Sequence, residues 1–395
     1  MRWDGTGRLR RYRLVVADAG EVAITQSVHQ VALTREHVVI LHTGFKIGFA
    51  PALHDAKPRS HAADRLLHAA LTRPQLPVTT FYVVSRAALD EADRQVDRGS
   101  VPTVLCRRID IPVEADHFVA DYDDSGGRIT LHVAHCPATD LGEWIRPHDV
   151  SPWGEPIDPE LHGIMAVGAM DVGRFGRYVV SSETGRVEEA RTFFDERVSW
   201  AISLYAGRAL NTVDALPERI DALYWCSIGF YPELLTRFVH DLYADYPHRV
   251  VPLDQIRAMA RTGRPSAILR LDTSSLRIDD AHELPPGTIV GSMQLVPRGG
   301  RWASSTEGYL IGNVFTPERT ELWIYDASAL ARGPICRLAS RELELGFSLH
   351  TAWLAELGEG GGDGYRITAE DDLRGHVSDP RLRAVFEREL YPRFD

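Results

Sequence analysis

The chain reads as an all-β protein, a β-propeller or large sandwich, on three observations. Short strands rich in Val, Ile, Leu and aromatic residues recur along most of its 395 residues. Tight polar turns, most containing Gly, join them into hairpins. Helices interrupt this pattern in only three places, which argues against a layered α/β fold.

The hairpins come in order. Tyr12 to Thr25 turns at Asp18-Ala19-Gly20, and Val119 to His135 at Asp123-Asp124-Ser125-Gly126-Gly127. Arg177 to Val187 turns at Glu183-Thr184-Gly185, and Ile268 to Ile278 at Asp272-Thr273-Ser274-Ser275. Gly308 to Ala327 is bridged by Thr316-Pro317-Glu318-Arg319. Between them, Ser60 to Thr72 is helical, with Leu66, Leu67, Ala70 and Leu71 on one side. Pro232 to Ala244 opens with Pro in a first turn and carries Leu235, Phe238, Val239 and Leu242 at helical spacing. Leu253 to Arg261 follows and stops at Gly263. A last helix, Pro380 to Leu390, sits behind Asp379 as its N-cap. The run Gly358 to Gly364 is a loop tip without a phosphate-loop pattern.

Net charge is -11 and no Lys/Arg-rich block occurs. A phosphate-backbone partner and an electrostatic membrane anchor are both excluded on that ground. No stretch reaches the ~18 apolar residues of a membrane span. The opening Met1-Arg2-Trp3-Asp4-Gly5 carries no apolar signal core, so the chain reads as cytoplasmic. Cys106, Cys136, Cys226 and Cys336 stand apart with no CxxC pair, as in a reduced intracellular chain. There is no GxSxG, HExxH or kinase-like pattern to suggest a side-chain nucleophile or base.

Three histidines stand out. His29 lies in Gln26 to Thr34, His117 in Ala115 to Tyr122, and His350 in Leu345 to Trp353. A lone histidine in a strand is usually packed or exposed. Three of them on well-separated β-type segments are what a site on a propeller axis requires, and Phe347 and Trp353 suit a ligand sunk in an apolar cavity. The remaining histidines read more plainly. His132 and His135 alternate poorly with one inward face and read as structural or exposed; His54, His61 and His68 flank or occupy a helix and read as solvated. Tyr224-Trp225 and Phe230-Tyr231 are core, or else the lining of an apolar tunnel. The acidic runs Asp121 to Asp124 and Glu370 to Asp372 read as turns and a solvated face.

At the three histidines the sequence resembles the carotenoid cleavage oxygenase family, which includes lignostilbene dioxygenases and retinoid isomerases. Gly308-Tyr309-Leu310-Ile311, Glu321 to Ala327, Gly333-Pro334-Ile335 and Gly346 to His350 follow the family's closing order. Ser27-Val28-His29 with Thr34 is similar to its HD-F-x-x-T segment. Asp116-His117-Phe118 with Asp121-Tyr122-Asp123 is similar to its H-x-x-N-A-Y/F-E segment, and Val296-Pro297-Arg298 to its F-V-P-R element. The resemblance covers almost the whole chain, tightest at the C-terminus and loosest between 140 and 290.

That resemblance implies one domain over 1–395: a seven-bladed β-propeller with helical insertions near 60–72 and 232–262 and a C-terminal helix near 380–390. The family holds Fe(II) by four axial histidines, and His29, His117 and His350 match the second, third and fourth. The first has no counterpart, so the propeller is expected to be incomplete at its N-terminal side. A family glutamate stands five residues before the Pro of F-V-P-R. Here that position is Ser292, which cannot accept as a carboxylate does, and Glu283 is the nearby substitute for an outer-shell carboxylate.

The implied activity is cleavage of a C=C bond in a carotenoid, apocarotenoid or stilbene-type substrate by O2, giving two carbonyl products. Imidazole suits Fe(II), and an all-histidine sphere adds no ligand charge. The protein's task is then to hold iron, orient the double bond and exclude water, with no catalytic side chain beyond the metal ligands. The implied partners are an apolar polyene or stilbene-like molecule and O2, with peripheral membrane contact through an apolar patch as in other family members. Two readings stand beside this one: an N-terminally shortened or degenerate member without activity, and a propeller that binds an apolar ligand without chemistry.

Overall fold

Residues Thr103 to Pro112 show how this sequence makes its strands. Val104 and Cys106 are buried, and so are Ile109 and Ile111, each pair alternating with exposed neighbours. A period of two within each pair is the signature of a strand, and the odd step between the pairs buries opposite faces at its two ends, against two different core clusters. Ala115 to Ala120, by contrast, is buried at all six positions, as a strand enclosed on both faces must be. The computed structural model describes residues 2–3, 9–17, 19–25, 27–43, 61–95, 101–140, 142–166, 168–197, 201–205, 218–300, 304–342, 345–346, 350–353, 377 and 379–393. They fall into two units, Met1–Trp353 and Leu354–Asp395.

The larger unit opens with a two-stranded ribbon, β1 (Arg2–Trp3) and β2 (Leu9–Arg10), then β3 (Arg13–Val16) and β4 (Gly20–Glu21). Four antiparallel meanders follow. The first is β5 (Ser27–Leu33), β6 (His37–Thr43), β7 (Val78–Ser85) and β8 (Thr103–Pro112). The second is β9 (Ala115–Ala120), β10 (Arg128–His135), β11 (Arg174–Ser181) and β12 (Val187–Phe194). The third is β13 (Ala201–Tyr205), β14 (Ala222–Ser227), β15 (Ala267–Asp272) and β16 (Arg277–Glu283). The fourth is β17 (Ile289–Pro297), β18 (Gly308–Phe315), β19 (Thr320–Asp326) and β20 (Cys336–Leu338). The described residues thus make four meanders where the family resemblance implied seven blades.

The expected turns fall where the strands reverse, but three features differ from the sequence reading. β3 pairs parallel to β8, with Arg13 opposite Thr103, so the first hairpin extends the first meander instead of standing alone. Helices α1 (His61–Leu71) and α2 (Arg86–Gln95) lie between strands of that meander, and α2 was not anticipated. Its Ala88, Leu89 and Ala92, at helical spacing, pack on Tyr82, Val84 and Val104. The stretch from Pro232 is not one helix: a 3-10 turn ends at Leu234, and α3 (Arg237–Leu242) starts afresh where the Thr236 hydroxyl accepts from Val239 N–H at 3.1 Å. Then comes α4 (Leu253–Thr262), as expected. In the smaller unit, α5 (Pro380–Val385) is capped as expected by Asp379, which accepts from Arg381 and Leu382 N–H at 2.7 and 3.0 Å. The run Gly358 to Gly364 and Glu370 to Asp372 lie outside the described residues.

The first strands of successive meanders pack side by side, β5 on β9, β9 on β13 and β13 on β17. All four are bulged. Register slips between Val28 and Val31 on β5, at Asp116 on β9, between Ala201 and Ser203 on β13, and between Val290 and Met293 on β17. A bulge inserts an extra residue, bends the strand and re-aims side chains.

The acidic run Asp121 to Asp124 is not a solvated face. Asp124 is fully buried and accepts from the Thr34 hydroxyl, the His37 ring at 2.7 Å and Glu36 N–H at 3.1 Å. It ties the β5–β6 turn to the β9–β10 turn. Asp121 accepts from the His132 ring and from Ile220 N–H, both at 3.0 Å, fastening the second meander to the segment that leads into β14 of the third. Burial alone would push the Asp124 carboxyl up, but the bonds from His37, Thr34 and Glu36 outweigh it and hold its pKa below the usual value. Its contribution to stability is therefore present above the unfolded aspartate value of ~3.9 and fades as pH falls through the lower folded value. Asp124→Ala should cost about 3–5 kcal/mol at neutral pH, the cost of breaking a buried pair. Urea titrations at pH 7 and below pH ~4 should show that cost shrinking in acid.

Candidate metal centre

Two of the bulges and a later stretch of chain bring the three sequence-predicted histidines together. His29 sits inside the β5 slip, His117 follows the bulged Asp116 on β9, and His350 arrives from beyond the fourth meander. The Nε2 atoms of His29 and His117 are 3.2 Å apart, and those of His29 and His350 3.1 Å. One donor atom from each of the three lies within 4.8 Å of the others. Imidazole nitrogens this close could bind one divalent ion together, since metal–nitrogen bonds run at about 2.0–2.1 Å. The donor set therefore fits a late divalent cation, which three imidazoles would hold.

The protonation states suit that use. Burial lowers the pKa of His29, and burial together with the neighbouring His29 lowers that of His350. Near neutral pH both imidazoles then keep a lone pair to offer. His117 is 7% exposed, whereas His350 is exposed and Trp353 half-buried. The site is thus enclosed on the His117 side and open at His350, less sunken than the aromatic flanks of His350 suggested. Phe347 lies outside the described residues.

Two residues close in sequence to these histidines, Gln30 and Glu114, carried no recognised sequence signal. Gln30, the second residue of the β5 slip, accepts from Phe118 N–H at 2.8 Å through Oε1. Its amide joins the residue after His29 to the residue after His117, across strands that share no ladder of their own. Glu114, three residues before His117, is buried; its Oε1 accepts from Ala138 N–H at 2.7 Å and its Oε2 meets the Tyr246 hydroxyl. Burial pushes its pKa up to about 7, against the opposing pull of Tyr246.

Glu283 is not brought to the histidines. It is exposed at the end of β16, opposite Ala267. That is the outermost strand of the third meander, three strand spacings or roughly 14 Å from the first strand. His132 and His135 are both buried: His132 serves Asp121, and His135 lies between Val113 O at 3.1 Å and the Tyr178 hydroxyl at 2.8 Å, its pKa lowered to about 4 by burial. His68 is buried rather than solvated, with Nε2 2.7 Å from Glu143 and its ring stacked on Phe238. His54 lies outside the described residues, and His61 begins α1. Tyr224, Trp225 and Phe230 are core residues, not a tunnel lining. A second group, Glu36, His37 and Asp124, has ligand-like spacing, but Asp124 and His37 already serve the turn clasp. Among the described residues the four cysteines are free, and no helix is long and apolar enough to cross a membrane.

Two bulged first strands and the stretch at His350 thus gather a cluster of three imidazoles. The sequence model of the retinal pigment epithelial membrane protein family matches residues 6–355, and the chain belongs to that family, the carotenoid cleavage oxygenases. Similar solved structures include a mutant of the Synechocystis apocarotenoid oxygenase (TM-score 0.46, 14% identity, covering 80% of this chain and 50% of that one). A cobalt-substituted form of the Synechocystis enzyme gives 0.44, 15%, 80% and 50%. Lignostilbene dioxygenase of Pseudomonas brassicacearum gives 0.45, 15%, 83% and 55%. The chain spans about half the length of these structures. No curated protein matches it.

Two outcomes follow from Gln30 and Glu114. Gln30→Ala leaves Phe118 N–H without its acceptor, at about 1–3 kcal/mol, and should weaken metal uptake more than it lowers the thermal midpoint. The raised pKa of Glu114 means its favourable term is full below about pH 4.5 and is lost as pH rises through about 7. Glu114→Gln keeps the neutral shape, so its stability relative to the parent should climb between those pH values and level off above, as read from urea midpoints.

Proposed function

We propose that this chain is a non-haem iron oxygenase that cleaves a C=C bond in an apolar carotenoid, apocarotenoid or stilbene-type molecule. The observation that carries the reading is the convergence of the three imidazoles, with His29 Nε2 at 3.2 Å from that of His117 and 3.1 Å from that of His350 and one donor atom of each within 4.8 Å of the others, in a chain of this family. In the reading, His29, His117 and His350 are the ligands, and an Fe(II) ion held there supplies the activation of O2. One O2 balances the conversion of one alkene to two carbonyl groups, so no reductant or organic cosubstrate is consumed.

The chain's own residues do the rest. Neutral imidazoles leave the ion its full positive charge. The Gln30 bridge fixes the relative placement of His29 and His117, and the buried β9 keeps water from the His117 side. The opening at His350 is the side from which substrate and O2 enter. The side-by-side order of β5, β9, β13 and β17 supports a propeller-type arrangement about this cluster. Family membership supports the substrate class.

Anaerobic reconstitution with Fe(II) should load about one iron per chain, and His117→Ala or His350→Ala should lower that at least tenfold, as for lost ligands or their supports. Oxygen uptake with panels of carotenoids, apocarotenoids and stilbenes should follow the iron content. Protein that binds no iron under these conditions would refute the reading; iron without turnover would favour a binding role.

A further inference from the structure

The fourth bulge carries no histidine, and its use is the question. Register between β17 and β18 slips by one residue from Val290 to Met293, so Gly291 and Ser292 together stand opposite Asn313. Ser292 is 1% exposed, deep enough that its hydroxyl needs a partner. It has one: Ser292 Oγ stands 3.0 Å from Thr351 Oγ1, and Thr351 is the residue after His350. Gly291 leaves room beneath the bulge, since a Cβ there would stand 2.5 Å from Asn313 Oδ1.

The contact is long-range, 59 residues apart. His350 lies on no strand or helix, so no ladder fixes its backbone. Thr351 and Ala352 are exposed, and only Trp353 is half-buried. The hydroxyl pair is thus a link from this stretch to a rigid strand of the fold. The same kind of bulge that aims His29 and His117 directly serves here at one remove.

We propose that Ser292 is a positioning residue for the His350 imidazole, acting through Thr351. The inference rests on the metal-centre reading above. The clasp is neutral, so it locates the third imidazole without placing a negative charge behind the site.

Co(II) added to the metal-free full chain tests it, with affinity and the visible absorption of the bound ion as readouts. Ser292→Ala and Thr351→Val should each weaken Co(II) binding by about tenfold, the lower end for a lost outer-shell partner, with a changed absorption band. The double variant should be no weaker than either single one, as for two halves of one bond. Ser292→Thr keeps the hydroxyl and should restore both readouts, while circular dichroism and the thermal midpoint stay near those of the parent throughout. Parental affinity and spectrum in Ser292→Ala, or effects that simply add, would overturn the clasp and leave the metal centre standing. If the parent chain itself takes up no Co(II), the metal centre falls and the clasp with it.

Discussion

The centre of this molecule depends on a mismatch of register. A regular strand sends side chains alternately to its two faces, and those faces are wanted for packing between sheets. A residue meant for the end or rim of the sheet needs the ladder to break, and an extra residue does that. The first strands of all four meanders break in this way. On two of them a histidine sits in or directly after the break. On the fourth a serine does, and it reaches the third histidine through its neighbour. The third has the same slip at Ala201 to Ser203, so the device belongs to the architecture and the chemistry depends on which residue occupies it.

The strands around those breaks are held by carboxylates in the turns. Asp124 and Asp121 stand in the loop that closes the β9–β10 hairpin, yet their bonds run to the first meander and to the segment before β14 in the third. Adjacent sheets in such a fold share side-chain packing but few backbone bonds. A buried carboxylate with several donors can stitch one sheet to the next where no ladder exists. The Gln30 amide does the same at the level of the histidines, between β5 and β9.

Much of this was legible in the sequence, and the parts that were not have physical reasons. Polar, Gly-containing turns marked the hairpins because only a few residues tolerate tight reversals. The three histidines stand out because three separate segments match one family pattern. What failed was inference from composition alone. The run Asp121 to Asp124 looks solvated by charge, since nothing local reveals that Thr34, His37 and Ile220 will arrive from elsewhere. Glu283 is close in sequence to the fourth meander but stands on an outer strand, because proximity along a chain says nothing about depth in a sheet. His68 has the setting of a surface helix residue until Glu143 and Phe238 close over it. Gln30 carries no signal at all, and Ser292, although it stands where the family has a glutamate, gives no sign that Thr351 will meet it from 59 residues away.

His29 and His350 meet across 321 positions of chain. Closing the chain over such a span costs conformational entropy that no neighbouring residue offsets, so the spacing of these imidazoles is a product of the packed sheets and not of the local sequence around either one.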